Sequence, residues 1–177
     1  MSQQYFSEDE WATLLQTPNM VIMAMTLADK TDPVSFLQET QAAIQIVANE
    51  QNRPDLTSDL AKSLTASMKE IDAKDSLQGE QLLLKKQFEL LGILQNLKNA
   101  SEGRKTTLDH FKQVGLILGN KVTAVQAREF KDWILSMARQ IAEAVKEGGL
   151  FGIGGERISR DESEMLKAIE KALDVKI

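Results

Sequence analysis

The three prolines of this chain all lie in its first third, at Pro18, Pro33 and Pro54. Proline removes a backbone donor and crowds the preceding turn, so the proline-free remainder of the chain can form long uninterrupted helices. Apolar residues recur along the chain at spacings of three and four, the period of an amphipathic helix, and runs of β-branched residues are few. The sequence therefore predicts an all-α fold, a compact bundle of about seven to eight helices with no sheet.

Short capping motifs predict where several of these helices begin. Ser7–Glu10 and Ser159–Glu162 each place a glutamate three residues after a serine, the pattern of a capping box. Thr17-Pro18 and Asp32-Pro33 place a capping residue before a proline at the first helical position. We therefore expect one helix to end at Thr17 and the next to begin at Pro18. Thr123 is a further predicted cap.

Two predicted helices are apolar around most of their circumference. The segment 18–28 has apolar side chains on nearly every face, so we expect it to lie centrally in the core. The segment 77–98 is apolar over more than half of its circumference, which predicts either a central helix or a helix at a subunit interface. The helix before it has a single apolar stripe that ends at Ile71, opposite a solvated charged face.

The most polar stretch of the chain is 99–105 (NASEGRK), and Thr106 after it is a predicted helix cap. A linker at this point would divide the chain into two helical parts of only about 80 to 100 residues each, which favours one shared core. We predict a single all-α domain over residues 1–177, with a possible subdomain linker at 99–105.

Composition excludes several kinds of site and partner. The absence of cysteine excludes disulfides, thiolate-ligated metals and a thiol nucleophile, and a single histidine excludes a multi-histidine metal site. A net charge of −5 argues against nucleic-acid binding. The longest apolar stretch, Met20–Ala28, is too short to span a membrane, and the N-terminal region lacks the early positive charge of targeting signals. We expect a cytoplasmic protein with no cofactor and no metal.

The lone histidine, His110, has no recognised catalytic pattern around it in the sequence. Its neighbours are Asp109, Phe111 and Lys112, and a general base needs a nucleophile and an orienting carboxylate. We interpret His110 as an ordinary, partly exposed histidine and predict that the chain is not an enzyme.

The glycine-rich segment 147–156 is the most unusual local feature, with five glycines in ten residues. It matches neither the dinucleotide fingerprint nor a phosphate-binding loop. Three interpretations remain: a connector between helices, an anion site at Arg157 and Arg160 beside a helix N-terminus, or an apolar loop with Phe151 that docks on a partner.

The methionines of segment 20–25 carry two interpretations as well. They fill a core helix, or they line an adaptable groove, since methionine side chains repack around varied ligands. The candidate residues for binding a ligand or a partner are therefore Met20, Met23, Phe151, Arg157 and Arg160.

The two ends of the chain resemble patterns in small, uncharacterised all-helical bacterial proteins. The opening segment is 6–11 (FSEDEW), and the closing one joins the glycine-rich stretch to Ile158, Ser159 and Glu162. The closing segment is also similar to the tellurite-resistance helical family, in which a short turn leads into a helix beginning Ile-Ser-x-x-Glu. The resemblance implies a helical fold; the acidic ion-binding cluster of that family has no matching residues here, so no site is carried over.

Two function hypotheses follow. The first is a non-enzymatic, cytoplasmic helical-bundle protein that acts through protein–protein contacts or self-association, as a homo-oligomer or with a protein partner. The alternative is a carrier or sensor that binds a small apolar ligand between helices, around the methionine-bearing segment.

Overall fold

A computed structural model of the chain describes residues 2–28, 33–147 and 158–174. Within these ranges the chain forms a short 3₁₀ turn at Ser2–Tyr5 and seven α-helices, and no strand. The helices are α1 (Glu8–Thr26), α2 (Pro33–Glu50), α3 (Asp59–Lys74), α4 (Glu80–Gln95), α5 (Ala100–Lys121), α6 (Ala124–Glu147) and α7 (Arg160–Leu173). The predicted all-α bundle is confirmed for the part of the chain described.

The core lies where α1, α5 and α6 meet. α1 packs on both α5 and α6, α2 and α3 pack on α6, and α7 packs on α5 and α6. Helices from before and after residue 99 therefore contribute to one hydrophobic cluster. The largest fully buried side chains are Trp133, Phe111, Phe130, Leu14, Ile22, Leu60, Leu64, Leu118, Ile134, Met137, Ile141 and Ile169.

The first helix begins as predicted but continues through the predicted break. The Ser7 hydroxyl accepts the Glu10 N–H at 3.1 Å, and the Glu10 carboxylate accepts the Ser7 N–H at 2.8 Å. The predicted end at Thr17 and the predicted new helix at Pro18 are wrong, because Pro18 lies inside α1. Proline has no N–H to donate, but every residue from Val21 to Thr26 is buried, and this packing offsets the lost hydrogen bond. The central position expected for segment 18–28 is confirmed.

The predicted linker at 99–105 is also wrong. The Asn99 side chain accepts the Glu102 N–H at 2.8 Å, and the Glu102 carboxylate accepts the Lys98 N–H at 2.8 Å, so this polar stretch opens α5. Thr106, the predicted cap, lies inside the helix, where its hydroxyl donates to the Glu102 carbonyl. Residues that cap a helix are the same types that form linkers, which explains the error.

Other helix starts are capped by side chains as well. The Thr123 hydroxyl accepts the Gln126 N–H at 3.3 Å, and Ser159 and Glu162 form the second capping box, both as predicted. The N-terminus of α3 receives a long-range contact besides its own cap, since the Glu129 carboxylate of α6 accepts the Ser58 N–H at 2.7 Å. None of the described helices is long and apolar enough to cross a membrane.

Candidate functional site

Helix α4 lies at the edge of the bundle and has little of its surface buried. Leu82 and Leu90 are its buried residues, and its main helix contact is with α2. The helix starts at Gly79, whose φ of +62° is in the left-handed region that favours glycine, and no side chain caps it. Segment 77–98 therefore does not form a central helix. The other alternative predicted for it, a helix at a subunit interface, stays a prediction.

A cavity of about 540 Å³ is lined by residues of α4 and of α1, α2 and α3, and we refer to it as the α4 groove. The groove combines a long apolar wall with a few polar groups. The apolar lining residues are Leu15, Pro18, Met20, Ile22, Met23, Ile44, Val47, Ala48, Met68, Ile71, Leu82, Leu90, Ile93 and Leu97.

Charged side chains cluster near the end of α3 and the first half of α4. Asp72, near the end of α3, contacts two side chains of this region. The Lys86 ammonium lies 2.6 Å from the Asp72 carboxylate, and the Gln51 amide donates to the same carboxylate at 2.9 Å. These contacts join α3, α4 and the residue that follows α2 at one end of the groove. Because Asp72 and Lys86 are both partly buried, their attraction is screened less than that of a fully exposed pair.

Asp75 and Lys85 form the neighbouring ion pair at the same end of the groove. The Asp75 carboxylate also accepts the Leu77 N–H at 2.9 Å. The hydrogen bond from Lys85, reinforced by the Leu77 N–H, lowers the pKa of Asp75, and the same bond raises the pKa of Lys85. Glu89 lies 3.9 Å from Lys85 and is more exposed than either partner. The groove thus has three carboxylates and two ammonium groups at its mouth.

Two further contacts hold α4 along its length. The Gln87 amide donates to the Leu37 carbonyl at 2.9 Å and lies 3.1 Å from the Thr40 hydroxyl, both on α2. At the far end, a methyl group at Gly103 would lie 2.8 Å from a Leu97 methyl group, so α5 approaches the end of the α4 region closely. These contacts keep α4 over the groove although few of its side chains are buried.

The outer face of α4 carries large apolar side chains in solvent. Leu84 and Phe88, one turn apart, are 52% and 65% exposed. Ile71, predicted to lie on the buried stripe of α3, is 58% exposed and lines the groove instead. The stripe prediction is therefore wrong at Ile71, because α4 stands away from the end of α3.

Among the residues predicted to bind a ligand or partner, Met20 and Met23 both line the groove, together with Met68. Arg160 is an exposed residue at the start of α7, where its guanidinium donates to Glu164 at 3.1 Å. Phe151, Arg157 and the five glycines of segment 147–156 lie outside the described residues. The structure thus brings together two of the five candidates, and Arg160 is not part of that site.

Sequence reasoning missed the charged mouth of the groove. Asp72 and Lys86 are fourteen residues apart and on different helices, so no helical spacing links them. One signal was present: Lys85 and Lys86 interrupt a mainly apolar segment, 82–94, at adjacent positions, and Gln87 and Glu89 follow them closely. Two adjacent charges on an apolar helix indicate a position where that helix meets water or acidic partners.

His110 lies at the contact between α1 and α5, away from the groove. Its Nε2 is 3.1 Å from the hydroxyl of Thr17, which is fully buried, and its ring meets that of Phe111 edge to face. Burial lowers the pKa of His110, against a smaller opposing effect of the Thr13 backbone. Because Thr17 is closed off from solvent, this pair offers no nucleophile to a substrate.

Metal ligands do not converge in the structure either: no cluster of three or more His, Asp or Glu side chains suited to a metal ion occurs among residues 2–28, 33–147 and 158–174. Comparisons with protein-family models, with curated proteins and with solved structures find no match for this chain. The resemblance to the tellurite-resistance helical family therefore stays a prediction, and the function has to be argued from the groove.

Proposed function

We propose that this chain is a non-enzymatic, cytoplasmic binding protein that holds an apolar ligand in the α4 groove. The observation that carries the proposal is a cavity of about 540 Å³ with a mostly apolar wall, beside a core of buried side chains. Pockets for small molecules typically measure about 300 to 1,000 Å³ and place a few polar groups on an apolar wall. The α4 groove has this size and this division.

The methionines of the groove support the same proposal. Met20 and Met23 on α1 and Met68 on α3 line it from two sides. Methionine is unbranched and flexible, so these side chains can adjust to a ligand without moving the backbone. The charged groups at the mouth are paired with one another and leave no activated nucleophile or base, which favours binding over catalysis.

The methionine methyl groups provide the direct test. The protein is labelled with ¹³C at its methionine methyl groups and titrated with a panel of alkyl and aryl ligands while NMR spectra are recorded. We expect saturable shifts at Met20, Met23 and Met68, and unchanged signals for the buried core residues Met137 and Met165. A panel in which no ligand produces saturable shifts at the three groove methionines would overturn the proposal.

A matched pair of variants localises the binding. Ala48 lines the groove, whereas Ala66 is exposed on α3 and does not. Ala48→Phe should fill part of the cavity and weaken binding at least about tenfold, since the ligand must displace the new ring. Ala66→Phe should leave the affinity unchanged. Equal affinities for the two variants would place the ligand elsewhere.

Self-association through the outer face of α4 is a second candidate, supported by the exposed pair Leu84 and Phe88. Large apolar side chains that are adjacent on a surface often mark a contact with another protein. Sedimentation velocity at micromolar concentrations should show a dimer for the wild type and a monomer for Phe88→Ser. Val125→Ser, which removes an exposed apolar side chain from α6, should remain dimeric. A monomeric wild type excludes this candidate and leaves the groove proposal untouched.

A further inference from the structure

We propose that the α4 groove accommodates a single flexible aliphatic chain whose cationic head group lies at the charged mouth. This inference rests on the proposed function and specifies its ligand class. Three features of the groove carry it: the chemistry of its wall, the confinement of its charged side chains to one end, and the sign of the charge at that end.

The wall of the groove is entirely aliphatic or thioether among the apolar residues described, with no aromatic ring. The described part of the protein does have large rings, but Trp133, Phe111 and Phe130 are fully buried in the core elsewhere. Planar aromatic ligands are favoured by offset-stacked or edge-to-face contact with rings. A wall of leucine, isoleucine and methionine offers dispersion contacts along its whole length, and these suit a methylene chain.

The groove has different ends. The Asp72–Lys86 and Asp75–Lys85 pairs lie near the end of α3 and the first half of α4. Ile93, in the last turn of α4, and Leu97, just after the helix, line the groove farther along. Lys86 and Ile93 are seven residues apart, which corresponds to about 10 Å along a helix. The lining also includes Thr106 of α5, so this second end is uncharged rather than wholly apolar. A site with one charged end and one uncharged, mostly apolar end fits an amphiphile with one chain.

The charge at the mouth selects the head group. Its carboxylates (Asp72, Asp75 and Glu89) outnumber its ammonium groups (Lys85 and Lys86), and both ammonium groups already have an aspartate partner. The contact of Glu89 with Lys85, at 3.9 Å, is the longest of these pairs. A cationic head would balance the excess negative charge beside Glu89, whereas an anionic head would add to it.

Isothermal titration with simple amphiphiles below their micelle concentrations tests the inference. Hexyl-, octyl-, decyl- and dodecylammonium should bind about three- to fourfold tighter per added methylene until the groove is full. Dodecanol and then dodecanoate should bind more weakly than dodecylammonium, by at least about tenfold for the carboxylate, and high salt should reduce that ratio. Naphthylmethylammonium, which has the same charge but a planar ring, should bind more weakly than octylammonium.

The variant Glu89→Gln should reduce the preference for dodecylammonium over dodecanoate and leave the affinity for dodecanol unchanged. Glu70→Gln is the matched control, because Glu70 is exposed on α3 and paired with Lys74. Tighter binding of dodecanoate, tighter binding of the naphthyl compound, or an affinity independent of chain length would each overturn the inference. If aryl ligands alone shift the groove methionines, the proposed function stands and this inference falls; if no ligand does, both fall.

Discussion

Helices α4 and α6 differ in how their apolar residues are arranged around the helix. The arrangement of these residues, rather than their number, determines how many of them are buried. Apart from Val125 near its start, the large apolar residues described in α6 are buried, and Phe130, Trp133 and Ile134 lie on one stripe that is almost completely buried. α4 carries apolar residues on several faces, yet Leu82 and Leu90 are the ones it buries. A stripe can be covered by the neighbours on one side, whereas an edge helix that is apolar all round leaves a face in water.

The contrast predicts a molecule with a stable body and a less stable edge. The body, where α1, α5, α6 and α7 meet, is held by close packing of large side chains. α4 is held by polar contacts, such as those of Lys86 and Gln87, and has an open groove beneath it. Elements with few buried contacts open locally at a lower free energy than the core does.

The largest expected difference is between two phenylalanines. Phe111 on α5 is fully buried, whereas Phe88 on α4 is 65% exposed. Phe111→Ala should lower the free energy of unfolding by about 3 to 5 kcal/mol, because it leaves a cavity in the body. Phe88→Ala should change it by less than about 0.5 kcal/mol. Urea denaturation measures both, and similar losses for the two variants would remove the distinction between body and edge.

A second pair probes how tightly the body is packed. A methyl group added at Gly115 would lie 2.8 Å from the Leu173 carbonyl oxygen and 3.1 Å from that of Ala172, so α7 would have to move. Gly115→Ala should therefore cost about 1 to 3 kcal/mol. At Gly119, one turn later, nothing lies within 4 Å, and Gly119→Ala should be neutral or stabilising by up to about 1 kcal/mol. The melting temperatures of the two variants, compared with that of the wild type, test this prediction. A higher melting temperature for Gly115→Ala would show that α5 and α7 are not in close contact.

Much of this body could be predicted from sequence because its signals are local. The stripe of α6 and the capping boxes at Ser7 and Ser159 depend on residues three or four apart, and the structure confirms them. The errors at Pro18 and at 99–105 arose where a local signal has two meanings. Proline starts helices and also occurs within them, and asparagine occurs in linkers and at caps, so packing decides between these alternatives.

The groove was only half predictable. Met20 and Met23 were singled out because methionines cluster on one helix, and both line it. Its volume depends on how far α4 stands from α1 and α3, which no local pattern encodes. Asp72 and Lys86 meet only in the folded chain, so the charged mouth had no signal at helical spacing.

A smaller effect is expected from the only histidine of the chain, which lies in the body. Burial lowers the pKa of His110, so the unfolded chain binds a proton at higher pH than the folded protein does. This histidine therefore imposes no cost above its unfolded pKa of about 6.5, and stability falls as the pH drops through and below that value. Urea midpoints at about pH 7.5 and pH 5.5 should show the loss for the wild type and a reduced loss for His110→Gln. Equal pH dependence in both proteins would mean that His110 is solvated.

The smallest expected effect tests whether α4 opens independently of the body. Gly92 lies within α4, and a methyl group there would meet nothing within 4 Å. Gly92→Ala should therefore stabilise the helical state of α4 by up to about 1 kcal/mol and slow amide hydrogen exchange there by up to about fivefold. The amides of α6 should exchange at unchanged rates if α4 opens alone. If the amides of both helices slow together, α4 unfolds with the core, and its scarce burial does not make it a separate unit. The groove would then be a fixed cavity, and a ligand would have to enter it without local opening of α4.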